Sequence, residues 1–280
     1  MQGWQPTPAI RASILLHAGA AVALAAQPGA WGVVLAGLAA NHAVLAIGMR
    51  PRAAMLGPNQ TRLPEAVGHA VALTFDDGPD PEVTPRVLDM LDAQGAKATF
   101  FVIGRRAARH PALLREMRAR GHAIGNHTHR HPAGFAAFGP WRMRREIAEA
   151  GHAIADACGE RPTLFRAPMG LRNPLLDPVL AAEGLRLVSW TRRGYDTRRQ
   201  PPERVLARLA DGLAPRDILL LHDASSAPDE AGRPVVLSVL PRLLGRLAQA
   251  GLISVALPSA GAGVPASAGA AASPSSGAHA

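Results

Sequence analysis

The sequence predicts an α/β fold, a parallel sheet or barrel entered through an apolar helical hairpin. Three observations lead there. Short β-prone apolar runs alternate with amphipathic stretches over roughly residues 68–257. Prolines stand where the helices should start and glycines where they should stop. Residues 12–49 are almost free of charge. Strands alternating with helices in this way are joined by crossovers, which make neighbouring strands parallel.

The apolar N-terminal part comes first. Ala12–Ala26 is broken by Gln27-Pro28-Gly29, and a second run, Trp31–Met49, follows. The second run approaches the ~20 residues that a helix needs to span a bilayer. The first is short for a span unless it extends through Arg11, and Asn41 and His42 interrupt the second with polar groups. Ala23-Leu24-Ala25 resembles a signal-peptide cleavage site, but a longer apolar run follows it at once. A soluble hairpin packed on the rest of the chain is the third reading. Membrane insertion is the reading adopted. Arg11 before the hairpin and Arg50, Arg52 and Arg62 after it meet no acidic residue before Glu65, which places both ends on the cytoplasmic side.

The folding part follows. Strands are expected at Val71–Phe75, Ala98–Ile103, Ala123–Gly125, Leu164–Arg166, Leu185–Trp190, Asp217–Leu221 and Leu252–Leu257. Helices are expected at Thr84–Gln94, Pro111–Arg120, Pro140–Ala157, Pro174–Glu183, Pro202–Leu213 and Val235–Ala250. Proline suits a first helical turn, whose amides have no helical acceptor, and Gly95, Gly121, Gly184 and Gly251 fall at the ends. Three regions result: 1–64, apolar segment and linker; 65–258, the folding domain; and 259–280, a tail of small residues without Asp, Glu, Lys or Arg that buries too little to order.

An apolar fraction of 48% with 18% charged residues supports a sizeable core. The one cysteine, Cys158, excludes a disulfide framework and a Cys-rich zinc site, so any metal must be held by His and carboxylates. Of the 30 basic residues four precede Glu65, leaving 26 against 21 acidic ones. That mild surplus, with only 4% aromatics, argues against nucleic-acid binding.

The unusual polar residues fall after the expected strands. Asp76 and Asp77 follow the first; Asn126, His127 and His131 the third; Arg166, Pro168 and Gly170 the fourth; Trp190 and Asp196 the fifth; His222 and Asp223 the sixth. The C-terminal ends of parallel strands share one rim, so five distant segments should meet in one pocket. Each piece alone has a plainer reading: an Asp-Asp-Gly turn, a surface pair of histidines at i and i+4, a capping His222, a structural Arg166 or Asp196. Accidents would scatter over both strand ends and the helices. Together the set suits metal-assisted amide hydrolysis. Two imidazoles and a carboxylate make a compact site for a divalent cation; a second carboxylate serves as base; a histidine kept cationic by a carboxylate protonates the leaving nitrogen.

Thr74-Phe75-Asp76-Asp77-Gly78, His127-Thr128-His129-Arg130-His131-Pro132, Arg166-Ala167-Pro168-Met169-Gly170, Trp190 through Asp196, and Leu219-Leu220-Leu221-His222 resemble, in order and spacing, the motifs of polysaccharide deacetylases (NodB homology, carbohydrate esterase family 4). The resemblance implies a distorted (β/α)7 barrel that removes N-acetyl or O-acetyl groups from glycans with zinc or cobalt. It implies Asp76 as base, Asp77, His127 and His131 as metal ligands, Arg166 holding Asp76, His222 as acid and Asp196 tuning it. Trp190 would form part of the hydrophobic wall near the substrate's acyl group, and His129 would be a bystander; Pro168, Met169 and Arg193 are further candidates for binding substrate.

Met169, Arg193 and Thr197 depart from the residues many members carry, which touches substrate identity rather than hydrolysis. The cluster Arg192, Arg193, Arg198 and Arg199 reads as a solvated basic loop or as a phosphate contact. The expected activity is removal of an acyl group, N-acetyl above all, from a sugar or glycan that is lipid- or phosphate-linked, at a bacterial inner membrane with the catalytic domain facing the cytoplasm. A deformylase of a lipid-linked formamido sugar and an inactive carbohydrate-binding scaffold are the alternatives.

Overall fold

The computed structural model describes residues 4–258. The expected tail, 259–280, lies outside the described residues. The hairpin comprises α1 (Pro8–Ala26) and α2 (Trp31–Gly48), joined by a 3-10 turn at Pro28–Ala30. The first helix starts earlier than its apolar run. Thr7 caps it, accepting from the Ile10 amide, and Pro8 opens it, so Arg11 lies inside the first turn. Asn41 donates to Ser13 Oγ at 2.9 Å, and the His17 and His42 rings meet edge to face at 5.3 Å. The polar groups that interrupt the apolar runs are thus paired across the hairpin. Both helices are long and apolar enough to cross a membrane, and their spans are only 11% and 6% buried.

The remainder is a parallel sheet curled into a distorted barrel. Its elements are β1 (Ala70–Asp76), α3 (Val83–Asp92), β2 (Ala98–Val102), α4 (Gly104–Arg109), α5 (Pro111–Ala119), β3 (Ala123–Asn126), α6 (Pro140–Cys158) and β4 (Leu164–Phe165). Then come α7 (Leu176–Ala182), β5 (Arg186–Leu187), β6 (Arg192–Arg193), α8 (Pro202–Ala210), β7 (Ile218–His222), α9 (Val235–Gln249) and β8 (Ile253–Ser254). The order is β5-β4-β3-β2-β1-β7-β6, with β8 paired to the start of β1.

All seven expected strands and six expected helices have counterparts. Two elements are additional, α4 and β6; Arg192-Arg193 carries no β-prone signal and pairs with Leu219 and Leu220 of β7. The expected run Leu185–Trp190 forms a ladder only at Arg186–Leu187. Beyond it Val188 bridges Gln60, and Arg62 bridges Asp217 just before β7. The linker behind the hairpin therefore lies along the open side of the barrel between β5 and β6.

Period-two alternation sorts the strand residues into two layers. Val71, Leu73 and Phe75 of β1 and Leu219 and Leu221 of β7 face the surrounding helices in the larger core. Ala70, Ala72, Ile218, Leu220 and Phe101 fill the interior with Trp190 and the linker's Leu63. Asp76 and His222 continue the interior parity, and the register sets them side by side at the rim.

Candidate active site

Five segments at that rim build the site. β1 delivers Asp76 and Asp77, 3% and 7% exposed. The carboxyl of Asp223, which follows β7, occupies the space next to Gly78. A Cβ on Gly78 would lie within 2.7 Å of Asp223 Cγ and closer still to both oxygens, so only glycine lets the chain turn there.

The loop after β3 carries the two histidines. Their i, i+4 spacing suggests a helical face; the structure has a tight turn instead. The Asn126 side chain accepts from the Thr128 amide at 2.9 Å, and the Thr128 hydroxyl accepts from the His131 amide at 3.1 Å. Thr128 and His131 have φ of 65° and 54°. Pro132 disfavours helical backbone at the residue before it, which is why no helix forms. Asp77 (φ 75°) and Met169 (φ 55°) share this left-handed backbone, so strain concentrates around the site.

The turn brings His127 Nε2 and His131 Nε2 each to 3.4 Å from Asp77 Oδ1. That oxygen is buried without a hydrogen-bond partner among the described residues. His127 Nδ1–H donates to the Arg166 carbonyl at 2.8 Å, which leaves the Nε2 lone pair free for Asp77's side. A tetrahedral cation with bonds of about 2.0–2.1 Å separates its ligand atoms by roughly 3.3–3.4 Å, so the spacing fits one shared ion. The electrostatics agree. Burial opposes charge on His127, yet Asp76 and Asp77 outweigh it and raise its pKa. Burial likewise opposes ionisation of Asp77, and His127, His222 and His131 overcome it to hold the carboxyl far below the usual range. Burial, then the charge on His127, lowers His131. The cluster favours positive charge at its centre, and the residues present fit a divalent cation.

Arg166, wholly buried, holds Asp76 in place. Its Nη1 donates to Asp76 Oδ1 at 2.6 Å and to Thr74 Oγ1 at 2.8 Å; Nε and Nη2 reach the Val188 and Ser189 carbonyls. The guanidinium lies over the Phe101 ring at 4.0 Å. Asp76 Oδ2 remains on the side of His127, at 3.8 Å from its Nε2.

Opposite, Asp196 clamps His222. One oxygen accepts from His222 Nδ1 at 2.9 Å, the other from the His222 amide at 2.8 Å. Burial would lower the imidazole's pKa, but the Asp196 carboxylate, with smaller help from Asp76 and Asp77, pushes it up to about 9. His222 therefore stands protonated near neutrality, with Nε2 left for a ligand.

Asp76, Asp77, His127, His131 and His222 line a cavity of about 250 Å³ with Met169, Gly170, Trp190, Arg193, Thr197, Leu220 and Ser225. Pro168 is buried and does not line the cavity, contrary to expectation. His129 points elsewhere, against Gly104 of α4. The expected arginine cluster divides. Arg193 lines the cavity; Arg192 binds Asp217 and the Asp211 and Gly212 carbonyls; Arg198 stacks on Tyr195; Arg199 faces a separate surface hollow.

The sequence placed Asp223 at the rim, directly after His222, but gave it no role; burial raises its pKa to about 7, and its Oδ2 accepts from Thr84 Oγ1 at 2.6 Å. Ser225 and Leu220 carried no signal beyond neighbouring it.

The profile of the polysaccharide deacetylase family matches residues 65–188. The chain is 38% identical over 196 residues to a chitooligosaccharide deacetylase of Sinorhizobium fredii, covering 68% of this chain and 90% of that protein. It is 33% identical over 183 residues to a peptidoglycan-N-acetylglucosamine deacetylase of Bacillus cereus, covering 65% and 83%. Its fold is similar to that of a family 4 carbohydrate esterase from Streptomyces lividans solved with acetate: TM-score 0.60, 34% identity, 67% of this chain and 92% of that one.

Proposed function

This chain belongs to the polysaccharide deacetylase (NodB-homology, carbohydrate esterase family 4) family of carbon–nitrogen hydrolases, and from that premise we propose that residues 65–258 remove the N-acetyl group of an amino sugar in a cation-dependent reaction. The observation that carries this reading is the buried, unpartnered Asp77 oxygen 3.4 Å from two imidazoles, with Asp76–Arg166 on one side and His222–Asp196 on the other.

Asp77, His127 and His131 would hold the cation, zinc in this proposal with cobalt as substitute. When bound, it supplies Lewis-acid polarisation of the acyl carbonyl and acidification of water. The other roles belong to the chain. Asp76 accepts the attacking water's proton through the oxygen that Arg166 leaves free, and Arg166 fixes the carboxylate's orientation. His222, protonated and oriented by Asp196, gives its proton to the leaving nitrogen, because an amide anion is a poor leaving group. Trp190 and Met169 line the acyl end and exclude water, and Arg193 lies over the Trp190 ring at 5.4 Å.

The apolar hairpin would anchor the enzyme in a bacterial inner membrane with the catalytic part on the cytoplasmic face. The supports are its exposed apolar helices and the arginines that follow them.

Acetate release from N-acetylated chitooligosaccharides by the purified full chain tests the proposal. Release should stop with chelator and return with zinc or cobalt. Activity indifferent to chelator would reject the cation's role, and no release from any acylated sugar would reject deacylation.

A further inference from the structure

A second cavity, about 1070 Å³, opens beside the acyl pocket and shares Trp190 and Arg193 with it. Its lining carries Arg50, Arg52, Arg62, Arg192, Arg193 and Arg208 against one carboxylate, Asp217. That carboxylate is already engaged by Arg62 at 3.3 Å and Arg192 at 2.7 Å. Arg50, Arg52, Arg193 and Arg208 are left with no carboxylate partner among the described residues. Arg52 donates to the Thr191 carbonyl and Arg208 to Gln200, both neutral. Arg193 Nε is buried and unpartnered. Its guanidinium and that of Arg208 flank the Tyr195 ring at 5.0 and 5.1 Å.

Four unopposed guanidinium groups in one concavity repel one another and focus a positive potential that an oxyanion relieves. Guanidinium forks match phosphate oxygens two at a time, which an ammonium cannot do. The cavity's position limits what bears the phosphate. One wall is the foot of the hairpin, Ile47 and the chain from Arg50 to Ala53. Ser189, one residue before the shared Trp190, fastens that foot by donating to the Pro51 carbonyl at 2.5 Å. Arg172, from the loop after β4, fastens it further through the Ala53 carbonyl at 2.6 Å. Trp190 and Arg193 line both cavities, so the acyl pocket lies directly beside them. The lining also includes Ile47, 54% exposed, at the end of the apolar hairpin.

We propose that this cavity binds the phosphate or pyrophosphate of a phosphate-linked acylated sugar, placing the sugar's acyl group in the neighbouring pocket and its carrier along the hairpin. The inference rests on the deacylase reading of that pocket and adds the substrate class. Polyprenyl lipid and nucleotide carriers present the same phosphate chemistry; the exposed Ile47 and the apolar hairpin beside the cavity favour the lipid.

The test uses the full chain in detergent or nanodiscs. kcat/KM is measured on a polyprenyl-pyrophosphate-linked N-acetylglucosamine, on UDP-N-acetylglucosamine and on chitotriose. The phosphate-linked to phosphate-free ratio should be at least about tenfold and should fall about tenfold in the Arg52→Ala/Arg208→Ala double variant. The Lys/Lys double variant, which keeps charge but loses the forks, should lie between. A lipid substrate preferred over the nucleotide identifies the carrier as lipid; equal use of the two supports the phosphate site with either carrier. Equal turnover of charged and neutral substrates, unmoved by the variants, overturns the inference and leaves deacylation standing. Calorimetric titration with inorganic pyrophosphate at low ionic strength reads the site without turnover. Saturable binding weakened about tenfold in the double variant supports it even if no sugar is hydrolysed; absence of saturable binding overturns it.

Discussion

Replacing Asp196 by Asn isolates what the clamp does for His222. Burial alone lowers the imidazole's pKa from 6.5, and Asp196 is the first of the groups that raise it to about 9. Removing that charge should return the group to 6.5 or below, about 3 kcal/mol less favourable protonation. At about pH 7.5 a group titrating near 9 is almost wholly protonated, whereas one titrating at 6.5 is only about one-tenth protonated. Amide turnover should therefore fall at least about tenfold at that pH, and the alkaline limb of the kcat profile should move from near 9 to near 6.5 or lower. A cation beside Asp77 offsets the smaller contributions of Asp76 and Asp77, so the wild-type limb can sit somewhat below 9, but the Asp196 difference persists. The assay is kcat against pH on a chitooligosaccharide and on 4-nitrophenyl acetate, whose leaving group needs no proton. Stability gives a second readout. A pKa raised on folding stabilises fully below 6.5 and stops doing so as pH rises through about 9, so the variant's Tm deficit should be large at pH 6 and small at pH 10. An unmoved alkaline limb, or equal losses on amide and ester, would refute the assignment of His222 as the acid.

Other perturbations follow from the same geometry. His127→Ala removes one of the three candidate ligands, Asp77, His127 and His131, so elemental analysis should find bound metal lost along with turnover; Asp76→Asn should keep the metal and lose turnover alone. Arg166→Met leaves Asp76 buried without its cation and strands the Val188 and Ser189 carbonyls, which should cost about 3–5 kcal/mol in urea unfolding. Gly78→Ala drives a methyl into the Asp223 carboxyl and should displace Asp77, cutting metal affinity and turnover by at least about tenfold. Gly139→Ala, where a Cβ meets nothing within 4 Å, should change neither measurement.

Much of the catalytic rim was legible because its signals are local. Alternation in Ala72-Leu73-Thr74-Phe75-Asp76 and Ile218-Leu219-Leu220-Leu221-His222 fixes which side chains face inward, and strand ends mark where polar residues must gather. Proline and glycine set helix limits for reasons that act within a turn or two. The hairpin's apolarity was equally plain, and its start at Pro8 needed only the Thr7 cap to be weighed alongside it.

Other features depend on segments that periodicity cannot connect. Arg192-Arg193 becomes a strand because β7 offers an open edge and Asp217 an ion partner, not because arginine prefers extended backbone. The histidine pair is set by Asn126, Thr128 and Pro132 closing a turn, where spacing alone suggested a helix. Arg50, Arg52 and Arg208 meet Arg193 only because the linker runs along the barrel's open side and the hairpin's foot docks on the catalytic rim. The layers, the order of elements and the kinds of group at the rim follow from local pattern, since hydrophobic period and turn chemistry are properties of neighbouring residues. Barrel closure alone decided which distant charges share a cavity, since that depends on how strands more than a hundred residues apart in the chain come to lie side by side.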